Sequence, residues 1–230
     1  APVRAQRVRC STHDHAGDHR LLDQHGHQQA PSAPTQHRQR NGGQHIACEV
    51  TADLRCLLLT DPQEPRDVFP AAGTPWYLTL FGRDSIWAAR MLLPVDVEVA
   101  AGTLRTLARR QGRQDDPETA EEPGKILHEV RRTVFVDSDH GMELPPVYYG
   151  TVDATPLWVC LLHDAWRWGL PESEVEALLP HLERALGWMR DSGDADGDGL
   201  LEYIDSTGRG LANQGWKDSG DSVQFADGTL

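Results

Sequence analysis

Three stretches of the chain place one to three aromatic residues and a glycine ahead of an aspartate that has a hydroxyl residue within two positions. They are PWYLTLFGRDS at 75–85, PPVYYGTVDATP at 145–156 and NQGWKDSGDS at 213–222. Their aspartates are Asp84, Asp153 and Asp218. Each could be an ordinary N-cap of a following helix, its carboxylate accepting from a free backbone N–H. Three together, each with aromatics, read instead as one rim that presents polar groups and stacking surfaces to a common pocket. Such a rim has the chemistry of sugar binding. The apolar CH face of a pyranose ring stacks on Trp or Tyr, and Arg and Asp take its hydroxyls as donor and acceptor. The stacking candidates are Trp76, Tyr77, Tyr148, Tyr149 and Trp216, with Lys217 beside the last.

The elements that must carry such a rim follow from periodicity. Residues 84–93 (DSIWAARMLL) are apolar nearly all round and stop before Pro94. Residues 96–111 are different: Val97, Ala100, Ala101, Leu104, Leu107 and Ala108 form one stripe, with Arg105, Arg109 and Arg110 opposite. The alternation recurs, with 153–169 apolar on almost every face and 173–191 amphipathic. Ser173 and Glu176 have the spacing of a capping box at the start of the latter. A helix that is apolar all round must be covered all round, and an amphipathic helix can cover it. Inner helix followed by outer helix, twice, predicts an all-α fold, a partial (α/α)6 toroid of helical hairpins. A plain helical bundle accounts for the stripes equally well, but not for the text before each inner helix. On the toroid reading Asp84, Asp153 and Asp218 converge at the N-terminal ends of inner helices, where the helix dipoles favour carboxylates.

The front of the chain has another character. Residues 1–50 contain seven of the eleven histidines, seven glutamines, six arginines and no aromatic residue. Their few apolar residues are aperiodic, so the segment cannot bury enough surface to offset its ordering entropy. It is read as disordered, or as text from a shifted reading frame, and the boundary is set at 51/52. No two of its histidines sit at helical spacing within an apolar pattern, which argues against a metal site there. The whole chain of 230 residues has a formal net charge of −13. That balance argues against a nucleic-acid partner. No window approaches 18 uninterrupted apolar residues, and no secretory signal core is visible near the start, so no membrane partner is expected. Cys10, Cys48, Cys56 and Cys160 have no metal-ligand spacing and read as reduced thiols of a cytoplasmic protein.

Five segments, FGRDSIWAAR, PGKILHEVR (123–131), YYGTVDATPLWV (148–159), DADGDGLLEY (194–203) and NQGWKDSGDS, resemble the bacterial glycogen-debranching, amylo-α-1,6-glucosidase-like family. That family is similar in turn to the mannosylglycerate hydrolase and processing α-glucosidase I groups, all six-hairpin (α/α) glycosidases. The resemblance runs from about Ala52 to Leu230. It implies hydrolysis of α-glucosidic bonds in an oligo- or polysaccharide by carboxylate acid/base catalysis, with no cofactor required. Arg83-Asp84 resembles the pair that holds sugar hydroxyls in the −1 subsite. Trp216-Lys217-Asp218 resembles the Trp-x-Asp segment carrying the general acid, which makes Asp218 the expected proton donor and Asp221 its rival. Tyr148, Tyr149 and Asp153 would line the pocket. Lys125, His128 and Glu129 would contribute from a loop that follows Pro123-Gly124. Glycoside hydrolysis needs a second carboxylate, about 6.5–9.5 Å from the first in inverting enzymes. The resemblance implies a Glu on a later hairpin, expected beyond Leu230, and an N-terminal β-sandwich that residues 1–50 cannot supply. The chain is therefore expected to be an enzyme fragment without turnover of its own. The alternative is a truncated, inactive product or carbohydrate-binding remnant.

The segment DADGDGLLEYID at 194–205 offers a separate chemistry. Asp194, Asp196 and Asp198 occupy positions 1, 3 and 5 of a calcium loop, Gly199 position 6, and Asp205 the place of the bidentate Glu at 12. No partner hand accompanies it. A structural Ca²⁺ and a plain Asp/Gly turn both fit these residues.

Overall fold

A computed structural model describes residues 52–138, 141–203 and 205–217 together with Gly228. The expectations for residues 1–51, and for Asp218 and Asp221, fall outside the described residues. By its contacts the chain from Leu57 onward forms one unit, distinct from the one that ends at Cys56. A helical run, α1, is described over 52–57.

The unit from Leu57 is mostly helical. Its helices are α2 (Gly82–Leu92), α3 (Val97–Arg109), α4 (Ala154–Arg167) and α5 (Glu172–Asp191). Their order matches the four helices expected from periodicity. The all-α expectation needs one correction, because six short strands are also present. β1 (Leu58–Thr60) pairs antiparallel with β2 (Val68–Pro70), β3 (Glu129–Val130) with β6 (Val147–Tyr148), and β4 (Phe135–Asp137) with β5 (Met142–Leu144). Each strand is two or three residues long, too short for alternation to be visible in the sequence.

The helix starts also differ from those expected. α2 begins at Gly82, so Asp84 lies inside the first turn, and Phe81 occupies the cap position without a side-chain bond. Asp153 does stand at the cap of α4, but its side chain caps nothing. α5 is preceded by Pro171 and begins at Glu172, so Ser173 and Glu176 are inside the helix and form no capping box. Asp96 is a working cap of α3, accepting from Glu98 N–H at 2.9 Å.

The core lies where α2, α3 and α4 meet. Ile86, Ala89, Leu104, Leu107, Trp158 and Leu161 are all fully buried there. Trp158 Nε1 donates to Leu104 O at 3.1 Å, so even the polar edge of the largest core side chain is satisfied. The inner/outer order expected from the stripes is not seen in the first helix pair, whereas in the second α4 is the more buried helix and α5 the more exposed. α3 is buried along most of its length, whereas α2 leaves Met91 73% exposed, and Trp87 and Trp166 are also open. The cause is the β1–β2 hairpin, which covers the polar side of α3. A Cβ on Gly102 would lie 2.3 Å from Val68 O, so the hairpin backbone rests directly on the helix. The arginines opposite the stripe are paired with carboxylates. Arg105 Nε bonds Asp67 at 2.7 Å, and Arg109 and Arg110 both bond Asp61. Among the described residues no helix is long and apolar enough to cross a membrane.

Candidate functional site

The entry to α2 is built around Gly82. Its N–H donates to His128 O at 2.7 Å, and a Cβ there would fall 2.1 Å from Leu127 O. Any side chain at this position would force the helix away from the 126–130 segment. That segment is itself held on two sides. His128 N–H donates to Tyr148 O at 2.8 Å, and Ile126 N–H donates to Thr155 Oγ1 at 2.9 Å. Phe81 forms a bridge with Glu129, which pairs with Tyr148 across β3–β6. Ser85 Oγ donates to Pro70 O at 2.6 Å and fixes the first turn of α2 to β2. The N-terminal ends of α2 and α4 are thereby brought together.

Arg83 and Asp153 meet at this junction. Arg83 Nη1 donates to Asp153 Oδ2 at 3.0 Å, and Thr151 Oγ1 donates to Asp153 Oδ1 at 2.8 Å. Arg83 is 8% exposed, so the pair is mostly withdrawn from water. Asp84 is exposed in the first turn of α2, where the partial positive charge of the helix end favours a carboxylate. Val152 N–H donates to Gln214 O at 2.9 Å. This bond brings the 213–217 segment beside the α4 entry, so the first rim stretch reaches Asp153 through Arg83 and the third reaches its neighbour Val152. Trp216, 77% exposed, follows two residues after that anchor, with Lys217 exposed beside it. Trp76 is 83% exposed, and Tyr77 is open on the same loop.

His128 is the buried centre of an edge-to-face aromatic row. Phe81 lies 5.5 Å from it and Tyr148 5.9 Å, while Tyr77 lies 5.9 Å from Phe81. Burial, reinforced by the charges of Arg83 and Arg131, brings the His128 pKa down to about 3. Its imidazole is neutral at pH 7 and acts as a packed ring. Glu129 is buried beneath it, with Arg131 Nε 2.7 Å from its Oε2.

Three residues expected at the pocket lie elsewhere. Tyr148 is buried, and its hydroxyl accepts from Leu211 N–H at 3.0 Å. It fits because Gly150 and Gly210 carry no Cβ, which would fall 2.1 and 2.6 Å from that hydroxyl. Tyr149 is also buried and donates to Arg110 O at 2.8 Å, and burial raises its pKa to about 12. Both rings support the rim from within and present no open face for stacking. Lys125 is turned toward α5. Its Nζ pairs with Glu122 at 3.1 Å, donates to Ala120 O at 3.2 Å and lies 5.5 Å from the Trp188 ring. Burial pulls its pKa down despite Glu122. A buried lysine already spent on a structural carboxylate is not a rim residue.

Beside the junction lies a cleft of about 790 Å³, walled by Trp76, Thr79, Phe81 and Phe135 and bearing Arg131 and Arg132. Of these, only Trp76 was expected at a site. The adjacent arginines at the end of KILHEVRR were the available signal.

In the acidic loop, carboxylate oxygens of Asp194, Asp196, Asp198 and Glu202 lie within 4.8 Å of one another. Asp205 is not of this group. It accepts from Thr207 and from Gly210 N–H at 2.8 Å, so position 9 rather than 12 supplies the fourth carboxylate. Several of the oxygens also accept backbone N–H groups, as in an Asp/Gly turn: Asp194 from Gly197 and Gly199, and Asp198 from Leu200. No protein-family profile matches the chain, and no curated protein matches it by sequence.

Proposed function

We propose that the chain belongs to a glycoside hydrolase of the glycogen-debranching type, acting on α-glucosidic bonds in an oligo- or polysaccharide, and that its helices are part of an (α/α)6 toroid in a cytoplasmic protein. The observation that carries the reading is the Arg83–Asp153 pair at the joined N-terminal ends of α2 and α4. A guanidinium and a carboxylate held together offer a donor and an acceptor to neighbouring hydroxyls. Trp76, Tyr77 and Trp216, on the first and third rim stretches, have exposed ring faces. Asp218, directly after Lys217, is the proton donor to the leaving oxygen on this reading, and a partner carboxylate activates water or attacks carbon. His128, neutral and enclosed, holds the Phe81 and Tyr148 rings in register and takes no proton in the reaction. The chemistry needs no cofactor, and the acidic loop is a structural Ca²⁺ site.

Binding tests the reading without requiring turnover. Calorimetric titration of the 230-residue chain with maltotriose should give saturable binding. Trp76→Ala and Trp216→Ala should each weaken it about tenfold, the equivalent of about 1.4 kcal/mol for one lost stacking face. Both side chains are mostly in water, so thermal stability should hardly move. No saturable heat with maltotriose or isomaltotriose, or wild-type affinity in both variants, would remove the sugar site from these residues.

A further inference from the structure

The junction and the cleft beside it differ in charge. At the junction Arg83 is matched by Asp153 at 3.0 Å, a balance suited to uncharged hydroxyls. Among the described residues, Arg131 and Arg132 are the only charged ones lining the cleft, and no carboxylate lines it. Arg131 is held from behind by Glu129 at 2.7 Å and lies over the Phe135 ring at 4.5 Å, so its direction is set. Arg132 is exposed and has no hydrogen-bond or ion-pair partner among the described residues. An acid-free wall with an unmatched guanidinium is unexpected in a chain whose net charge is −13. A planar guanidinium matches the two oxygens of a carboxylate or phosphate in a way an ammonium does not. The volume, about 790 Å³, lies in the range of small-molecule sites. The acidic surface elsewhere opposes a long polyanion.

We propose that this cleft binds an oxyanion carried by the glycan, a carboxylate or a phosphate, so that the substrate is an acidic rather than a neutral α-glucoside. This rests on the sugar-binding reading of the junction. Trp76 stacks the sugar ring, Arg132 takes the oxyanion, and Phe81 links the cleft to the entry of α2.

The test is calorimetric titration of the 230-residue chain with three ligands of one length: maltotriose, the same trisaccharide with a terminal uronate, and the same carrying a phosphate. At least one acidic ligand should bind about tenfold more tightly than maltotriose, and which one does so identifies the oxyanion. Arg132→Ala should abolish that preference while leaving maltotriose affinity and thermal stability unchanged, and Arg132→Lys should restore part of it. Raising ionic strength to about 0.5 M should erode the preference, since screening acts on the exposed charge. Equal affinities for all three ligands, or a preference that survives Arg132→Ala, would overturn the proposal and leave the sugar site standing. Arg132-dependent binding of inorganic phosphate or acetate, with no sugar bound at all, would overturn the glycan reading and with it the substrate class proposed here.

Discussion

Replacing Asp61 with Asn should destabilise the fold by about 3 kcal/mol, and the size follows from what surrounds it. Asp61 is fully buried just after β1. Oδ2 accepts from Arg109 Nε at 3.0 Å and Arg110 Nη1 at 2.9 Å, while Oδ1 accepts from Arg110 Nη2 at 2.7 Å and Gln63 N–H at 3.0 Å. Removing one partner of a buried ion pair costs about 3–5 kcal/mol because the other charge is left uncompensated. The two arginine side chains remain 28% and 17% exposed, so water can partly recover them, which selects the lower end. In a domain of this size about 3 kcal/mol lowers Tm by roughly 6–12 °C. Burial raises the Asp61 pKa, but the bonds from Arg110, Gln63 N–H and Arg109 outweigh it and hold the carboxyl well below its usual range. A folded-state pKa below the unfolded value of about 3.9 means that the stabilisation is complete above that value and is lost as pH falls below it. The gap between wild type and Asp61→Asn, measured by urea unfolding, should stay constant from pH 7 to pH 5. It should narrow by about 1 kcal/mol by pH 3. A gap under about 1 kcal/mol at pH 7, or one that is undiminished at pH 3, would refute the reasoning. The loss should also reach the site, because the same hairpin holds Ser85 through Pro70 O.

Two further outcomes are expected. On the proposed glycosidase function, Asp218→Asn in a form of the protein that turns over an α-glucoside should lower kcat by about 10²–10⁴-fold with a natural leaving group and much less with an activated aryl glycoside, with KM little changed; equal losses on both substrates would move the acid to Asp221 or elsewhere. A calcium site of about millimolar affinity at Asp194, Asp196, Asp198 and Glu202 should stabilise the chain by about 1 kcal/mol in 5 mM Ca²⁺. Asp194→Asn should remove that gain, and an unchanged Tm on adding Ca²⁺ would reduce the loop to a turn.

What the sequence could and could not show divides along physical lines. Helices of 11 to 20 residues carry several turns of a repeating stripe, so α2 to α5 were legible. The partners of the α3 arginines were not. Asp61 and Asp67 lie on a hairpin whose strands have three residues each, and pairing at a separation of 38 to 49 residues leaves no local trace. The same limit hid the cleft, since Arg131 and Arg132 are placed by β3 pairing with β6 and not by any period. The partners of Asp205 are hidden for a related reason. Counting positions along the loop cannot reveal that Thr207 and Gly210 occupy its carboxylate first.

The repeated aromatic-Gly-Asp text carries the most instructive difference. Its first two copies use the same residue types in opposite directions. In the first, Gly82 lets the backbone press to within contact of Leu127 O, and of the three aromatics ahead of it Phe81 is buried while Trp76 and Tyr77 stay open to water. In the second, Gly150 clears room for the Tyr148 hydroxyl, and both tyrosines turn inward to bond backbone at Leu211 and Arg110. Only Gly82 closes a helix entry, against the 126–130 segment, and Arg83 beside it bonds Asp153. The direction of the aromatics is decided by what lies behind each loop, and only the outward set is available to a ligand. On the proposed function, the ring faces open to a sugar are those of Trp76, Tyr77 and Trp216, whereas the Tyr148–His128–Phe81 row is buried. Stacking should depend on the first group, and the rigidity of the Arg83–Asp153 pair on the second.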